Sequence, residues 1–132
     1  MKRVVKRRWG KVLCVAAVAA ALCLAVYLWR VAAYQRQVKG LAVNGVDLGQ
    51  VADGTYMGSC DVGFIEAQVR VVVADGTITE IQLLKHKNGR GAPAERIPGD
   101  IIAQQRTDVD AVSGATNSSK VIEKAVENAL QP

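Results

Sequence analysis

The chain changes texture several times along its length. From Val12 to Trp29 the run "VLCVAAVAAALCLAVYLW" contains no charged residue. It lacks the polar face of a surface helix, so it predicts a helix that is apolar all round. Its 18 residues would extend about 27 Å as a helix, close to the ~30 Å hydrocarbon core of a bilayer. "AAYQRQVK" (32–39) can prolong that helix, and the turn-rich "NGVDLGQ" (44–50) stops it.

A different period follows. "DGTYMGS" (53–59) reads as a turn and a short strand. In "FIEAQVRVVV" (64–73), Ile65, Ala67, Val69, Val71 and Val73 point one way while Glu66, Gln68 and Arg70 point the other, as in a half-buried strand. Asp75-Gly76 is a two-residue hairpin loop, and "TITEIQLLKHK" (77–87) is the returning strand. Cys60 reads as a small residue near a strand end. "NGRGAPAERIPGD" (88–100) predicts mostly loop, with Pro98 or Asp100 opening a short helix through "IIAQQ". In "NSSKVIEKAVENAL" (117–130), Val121, Ile122, Ala125, Val126, Ala129 and Leu130 recur at helical spacing. Lys120, Glu123, Lys124, Glu127 and Asn128 are expected on the solvent face. The fold class is α+β: a small antiparallel sheet packed with one long C-terminal and one short helix, preceded by a single N-terminal transmembrane helix. The expected boundaries are a basic terminus at 1–11, an anchor at 12–30, a linker at 31–51 and a folded domain at 52–131.

Charge sharpens this picture. The 132 residues carry a net +5, which alone would invite a nucleic-acid partner. However, six of the 17 basic residues precede residue 12, leaving 11 against 12 acidic ones. The basicity belongs to the flank of an apolar run, so the expected partner is a lipid bilayer and no nucleic acid. Trp9 lies on one side of the run and Tyr27 and Trp29 on the other, where interfacial aromatics belong. The positive-inside rule puts the N-terminus in the cytoplasm. The expectation is a single-pass protein of the cell membrane with its C-terminal domain extracytoplasmic. A cleaved signal peptide is the competing reading, with "VAA" (31–33) as the cleavage site, but the apolar run exceeds the usual 7–15 residues. Cys14 and Cys23 each follow Leu, which argues against lipid attachment there. Cys60 is the only cysteine outside the apolar run, so an internal disulfide in the folded domain is excluded.

Little conventional chemistry is written in the chain. There is no Walker loop and no nucleophile elbow, and one histidine with one outer cysteine does not make a familiar metal site. "GRGAPA" (89–94) imitates a dinucleotide fingerprint, but Pro93 interrupts it and the domain has no room for a βαβ sheet. A Ser113–His86 hydrolase pair is formally available and has no signature behind it. "DAVSGATNSSK" (110–120) stands out. Ser113, Thr116, Ser118 and Ser119 offer four hydroxyls at the mouth of the last helix, where a cap needs one. Gly114 removes a side chain, and free N–H groups with the helix dipole make a seat for a phosphate near Thr116.

"DAVSGAT" resembles the flavinylation motif Asp-x-x-Ser/Thr-Gly-Ala-Thr/Ser of FMN-binding domain proteins. "DGTYMGS", "VVVADGTITEIQLLKHKNG" and "IIAQQRTDVDAVSGATNSSKVIEKAVENAL" are similar to the same family, so the resemblance covers roughly residues 52–130. The family includes flavinylated subunits of sodium-pumping NADH:quinone oxidoreductases and of Rnf complexes, and small membrane-tethered flavin domains. This chain is much shorter than the pump subunits and suits the tethered type. The resemblance implies a covalent FMN, with the Thr116 oxygen joined to its phosphate and with Asp110, Ser113, Gly114 and Ala115 at the recognition positions. It also implies His86 and Gly89 as flavin neighbours and a separate flavin transferase that takes FMN from FAD. No catalytic residue and no metal ligand is implied. The expected role is electron carriage to and from membrane redox partners in a trans-membrane or extracellular chain. A non-redox binding module and an FMN-dependent reductase are the alternatives.

Overall fold

The computed structural model describes residues 2–88 and 91–131. It divides into two compact units, Met1–Gln35 and Arg36–Pro132.

Helix α1, Lys2–Gly40, has 39 residues and is the one helix, among the described residues, long and apolar enough to cross a membrane. Val12, Leu13, Leu22 and Leu24 are 57–67% exposed. Burying a side chain of that size is worth about 1.5–3 kcal/mol, so a bare apolar helix calls for apolar surroundings. The length and composition are those of a membrane anchor, and the helix persists through "AAYQRQVK" to Gly40.

The second unit holds a three-stranded antiparallel sheet in the order β1-β2-β3: β1 is Gly54–Asp61, β2 Glu66–Ala74 and β3 Thr77–Lys87. Asp75 (φ 53°) and Gly76 (φ 71°) both take the positive φ that their two-residue hairpin requires. Alternation along β2 is complete. Ala67, Val69 and Val71 are 0% exposed and Val73 is 2%. The register aligns Cys60 with Ala67 and His86 with Ala67 from the other side, so both lie on the covered face. Two register shifts, at Gln68/Val69 and Val72/Val73, leave Leu84 and Thr79 as extra residues in β3. Among the described residues every strand pair is antiparallel.

Helix α2 is Ile97–Gln104 and α3 is Thr116–Leu130. The covered face of the sheet meets α3 over β1 and β2, and α2 over β3. At Gly58 the approach is backbone to backbone: an added Cβ would sit 2.2 Å from the Ala125 carbonyl oxygen and 2.5 Å from the Ala129 nitrogen. Gln105 closes α2 in a left-handed conformation (φ 53°). Its amide accepts from Ile78 N–H (2.8 Å) and donates to the carbonyls of Ile78 (2.8 Å) and Ile102 (2.7 Å), fastening α2 to the start of β3.

Two local expectations are corrected. Within the segment 88–100, residues 92–100 are helical: a 3-10 turn spans Ala92–Arg96, and α2 starts at Ile97, ahead of Pro98. Proline is tolerated in the first turn because its missing N–H has no helical partner there. The supposed solvent face of α3 is also partly covered, with Glu123 4% and Glu127 0% exposed. Residues 42–45 account for Glu127. Its carboxylate accepts from Asn44 N–H (2.9 Å), Gly45 N–H (3.3 Å) and Lys124 Nζ (2.8 Å), while Lys124 also donates to the Ala42 carbonyl (3.1 Å).

Candidate functional site

The hydroxyl-rich segment forms a tight turn followed directly by α3. Ala115 N–H donates to the Val112 carbonyl (2.9 Å), closing a β-turn over Ser113 and Gly114. Gly114 has φ 81°, the value a type II turn needs at its third residue and one that a side chain disfavours. Ser119 locks the turn from inside. Its Oγ accepts from Val112 N–H (3.0 Å) and donates to the Ala115 carbonyl (2.8 Å).

This arrangement leaves Thr116 uncommitted. The N-cap of α3 is Ala115, and no side chain caps the helix. Thr116 is therefore the first helical residue, its side chain is exposed, and its hydroxyl has no partner among the described residues. The capping role that a threonine there would ordinarily serve is not performed. The first turn of α3 holds no acidic residue, and Lys120, one turn on, brings a half-buried cation. N–H groups at a helix start, the positive end of its dipole and a nearby ammonium together suit an anionic group. Asp110, Ser113 and Gly114 are exposed around the turn, and Ala115 is buried beneath it.

Other expected site residues are brought towards α3 by close packing. Gly91 lies against Ser118: a Cβ on Gly91 would fall 1.9 Å from Ser118 Oγ and 3.3 Å from Asn88 Cβ. Asn88 in turn reaches His86, with its Nδ2 3.3 Å from His86 Nδ1. The end of β3 and the first turn of α3 thus share one corner. The His86 side chain is 3% exposed, because the register turns it to the covered face of the sheet. Its Nδ1 lies 3.2 Å from Glu95 Oε1, and its Nε2 is buried with no partner among the described residues. The Ser118 hydroxyl is also buried without a partner among the described residues. Gly89 lies outside the described residues.

On the far side of the turn, Glu123 has a buried, unpartnered Oε1. Burial pushes its carboxyl up to about 7; Asp108 adds to the effect, Lys120 opposes it, and Asp110 adds a smaller push. Cys60 is buried, and desolvation raises its thiol pKa, so it is a poor nucleophile. Among the described residues no group of histidine, cysteine, aspartate and glutamate side chains is arranged to hold a metal ion. The tie made by Ser119 and the fit of Gly91 to Ser118 escaped the sequence reading. Ser119 was visible only as one hydroxyl among four, and Gly91 carried no local signal.

The family model described as "FMN-binding domain" matches residues 63–131, from the start of β2 through α3, which is just over half of the chain. The chain belongs to the FMN-binding domain family. The match takes in both the Asp110–Thr116 turn and the His86–Gly91 corner. An uncharacterized protein of Treponema pallidum (strain Nichols) is 32% identical over 85 residues, covering 62% of this chain and 24% of its own length. The chain thus spans about a quarter of that relative. An FMN-binding domain following a helix fit for a membrane describes a membrane-anchored FMN-binding protein. The corner is consistent with the cofactor on structural grounds: among the described residues it offers a free hydroxyl, a helix start that no side chain caps, and two buried polar atoms lacking partners.

Proposed function

We propose that this FMN-binding domain carries its flavin covalently and works as an extracytoplasmic electron carrier. In this reading FMN is joined through its phosphate to Thr116 Oγ1. The observation that carries it is the exposed Thr116 hydroxyl at a helix start that no side chain caps. The Thr116 oxygen would lose its proton and gain the phosphoryl group of FMN from FAD, with AMP as the leaving group. In this reading a separate flavin transferase performs this step, as the resemblance to flavinylated domains implies. Ser119 and Gly114 hold the turn in shape, and the backbone N–H groups of the first helical turn with Lys120 balance the phosphate charge. His86 Nε2 and Ser118 Oγ are the buried polar atoms left for the remainder of the cofactor.

When bound, the isoalloxazine ring supplies one- and two-electron chemistry. The domain's share is to hold it beyond the bilayer, where FMN lost to solution could not be replaced from the cytoplasm. The electrons would pass to and from membrane redox partners.

The test is the intact mass of the protein after co-expression with a flavin transferase. One FMN residue should appear on the peptide containing Thr116. Thr116→Val should lose it, and Thr116→Ser should retain it. A Val variant that still carries covalent flavin would place the attachment elsewhere. Flavin held only non-covalently by the wild type would limit the reading to reversible FMN binding.

A further inference from the structure

The unit Met1–Gln35 contains a second feature unrelated to the flavin corner. On the first three turns of α1, Arg3, Val4, Arg7, Arg8 and Lys11 line one cleft. Their spacing of three and four residues places all five on a single helical face. Trp9, 69% exposed, falls on the opposite side, and the uncharged run starts directly after Lys11. The cleft has a volume of about 340 Å³, at the small end of the ~300–1,000 Å³ typical of ligand clefts.

Four cations on one face repel each other unless an anion lies between them. None is available locally, because the first acidic residue of the chain is Asp47. The counter-charge must come from outside α1. Its chemistry follows from position and donor type. Counted at 1.5 Å per residue from the edge of the apolar run, Lys11 to Arg7 cover about 6 Å, the depth of a headgroup layer of roughly 5–8 Å, and Arg3 reaches about 6 Å beyond it. Three of the four cations are arginines, whose planar forks match phosphate oxygens.

We propose that the Arg3–Arg7–Arg8–Lys11 face binds the phosphodiester headgroups of anionic phospholipids in the leaflet at the N-terminal end of α1. The site is separate from the flavin and rests on the reading of α1 as a membrane span. Arginine forks bracket the phosphate, and Trp9 anchors the other side of the helix at the interface. The same face fixes the depth of the helix and favours membrane regions rich in anionic lipid.

The experiment uses the full chain in nanodiscs of phosphatidylcholine containing one quarter phosphatidylglycerol. Native mass spectrometry counts the lipids retained by the released protein. Wild type should retain phosphatidylglycerol well above its bulk share, with the excess declining as salt rises. Replacing Arg3, Arg7, Arg8 and Lys11 by Gln should return retention to the bulk share, since one surface charge is worth about a five-fold preference. Replacing Arg30, Arg36 and Lys39 by Gln should leave the excess intact. Equal retention by the first variant and wild type, or loss in the second variant alone, would overturn the proposal. So would preferential binding of an oligonucleotide over phosphatidylglycerol vesicles at matched salt. Failure of the wild type to enter nanodiscs at all would instead refute the span.

Discussion

Thr116 and Glu123 lie two turns apart on one face of α3, and each is spared an ordinary role. Thr116 does not cap its helix, and Glu123 is not solvated. The consequence for Glu123 is a pH dependence with a definite sign. Its ordinary value is 4.5, while burial raises it to about 7 in the folded chain. Between those values the unfolded chain has released a proton that the folded chain keeps. Stability from this group is therefore complete below pH 4.5, declines as pH rises to 7, and stays at its lower level above that. The full effect is on the order of 3 kcal/mol. Glu123→Gln keeps the shape and cannot ionise, so it should flatten the decline and be the more stable form at pH 8. Urea titrations of both proteins at pH 5, 6, 7 and 8 measure this, and a decline of equal size in the variant would exonerate Glu123. The attachment test belongs to the same scale: Thr116→Ser keeps the oxygen and Thr116→Val removes it, with little change in volume.

Between elements, β1 meets α3 backbone to backbone at Gly58. Gly58→Ala should force the two backbones apart, with a loss of roughly 1–3 kcal/mol or more, because an overpacked methyl would meet main-chain atoms that cannot swing away. The midpoint of chemical denaturation is the measure, and an unchanged midpoint would show that α3 moves freely over the sheet. Such a contact marks the limit of what a sequence discloses. Period and turn chemistry made β2, the Asp75-Gly76 hairpin, β3 and the apolar face of α3 legible, because each depends on neighbours along the chain. The burial of Glu123 and Glu127 was not legible, since it depends on residues 42–45 and 106–110 folding across α3. The 3-10 turn at 92–96 was hidden by Pro93, which locally reads as loop, whereas the short helix opening at Pro98 was legible. At the site, the turn around Gly114 announced itself, whereas Gly91 acquires meaning only from Ser118, distant in sequence and adjacent in space.

For the molecule as a whole, the one-sided distribution of charge sets a direction. Basic residues gather before the apolar run, and the proposed topology puts the flavin domain outside. Gln50→Cys should then react with a membrane-impermeant maleimide on intact cells, and Arg3→Cys should react only after lysis. The opposite pattern would place the domain in the cytoplasm. Cys60 is buried and gives little background. The grip of Glu127 on the chain leaving α1 sets how far the protein can be shortened. A water-soluble version beginning at Leu41 retains the amides of Asn44 and Gly45 and the carbonyl of Ala42. One beginning at residue 52 has every strand but removes the Asn44 and Gly45 donors and leaves the Glu127 carboxylate with Lys124 alone, each missing charged bond being worth about 1.5–3 kcal/mol. The stalk is thus also a seal for the last helix, and trimming it at the edge of the sheet would open the domain from behind.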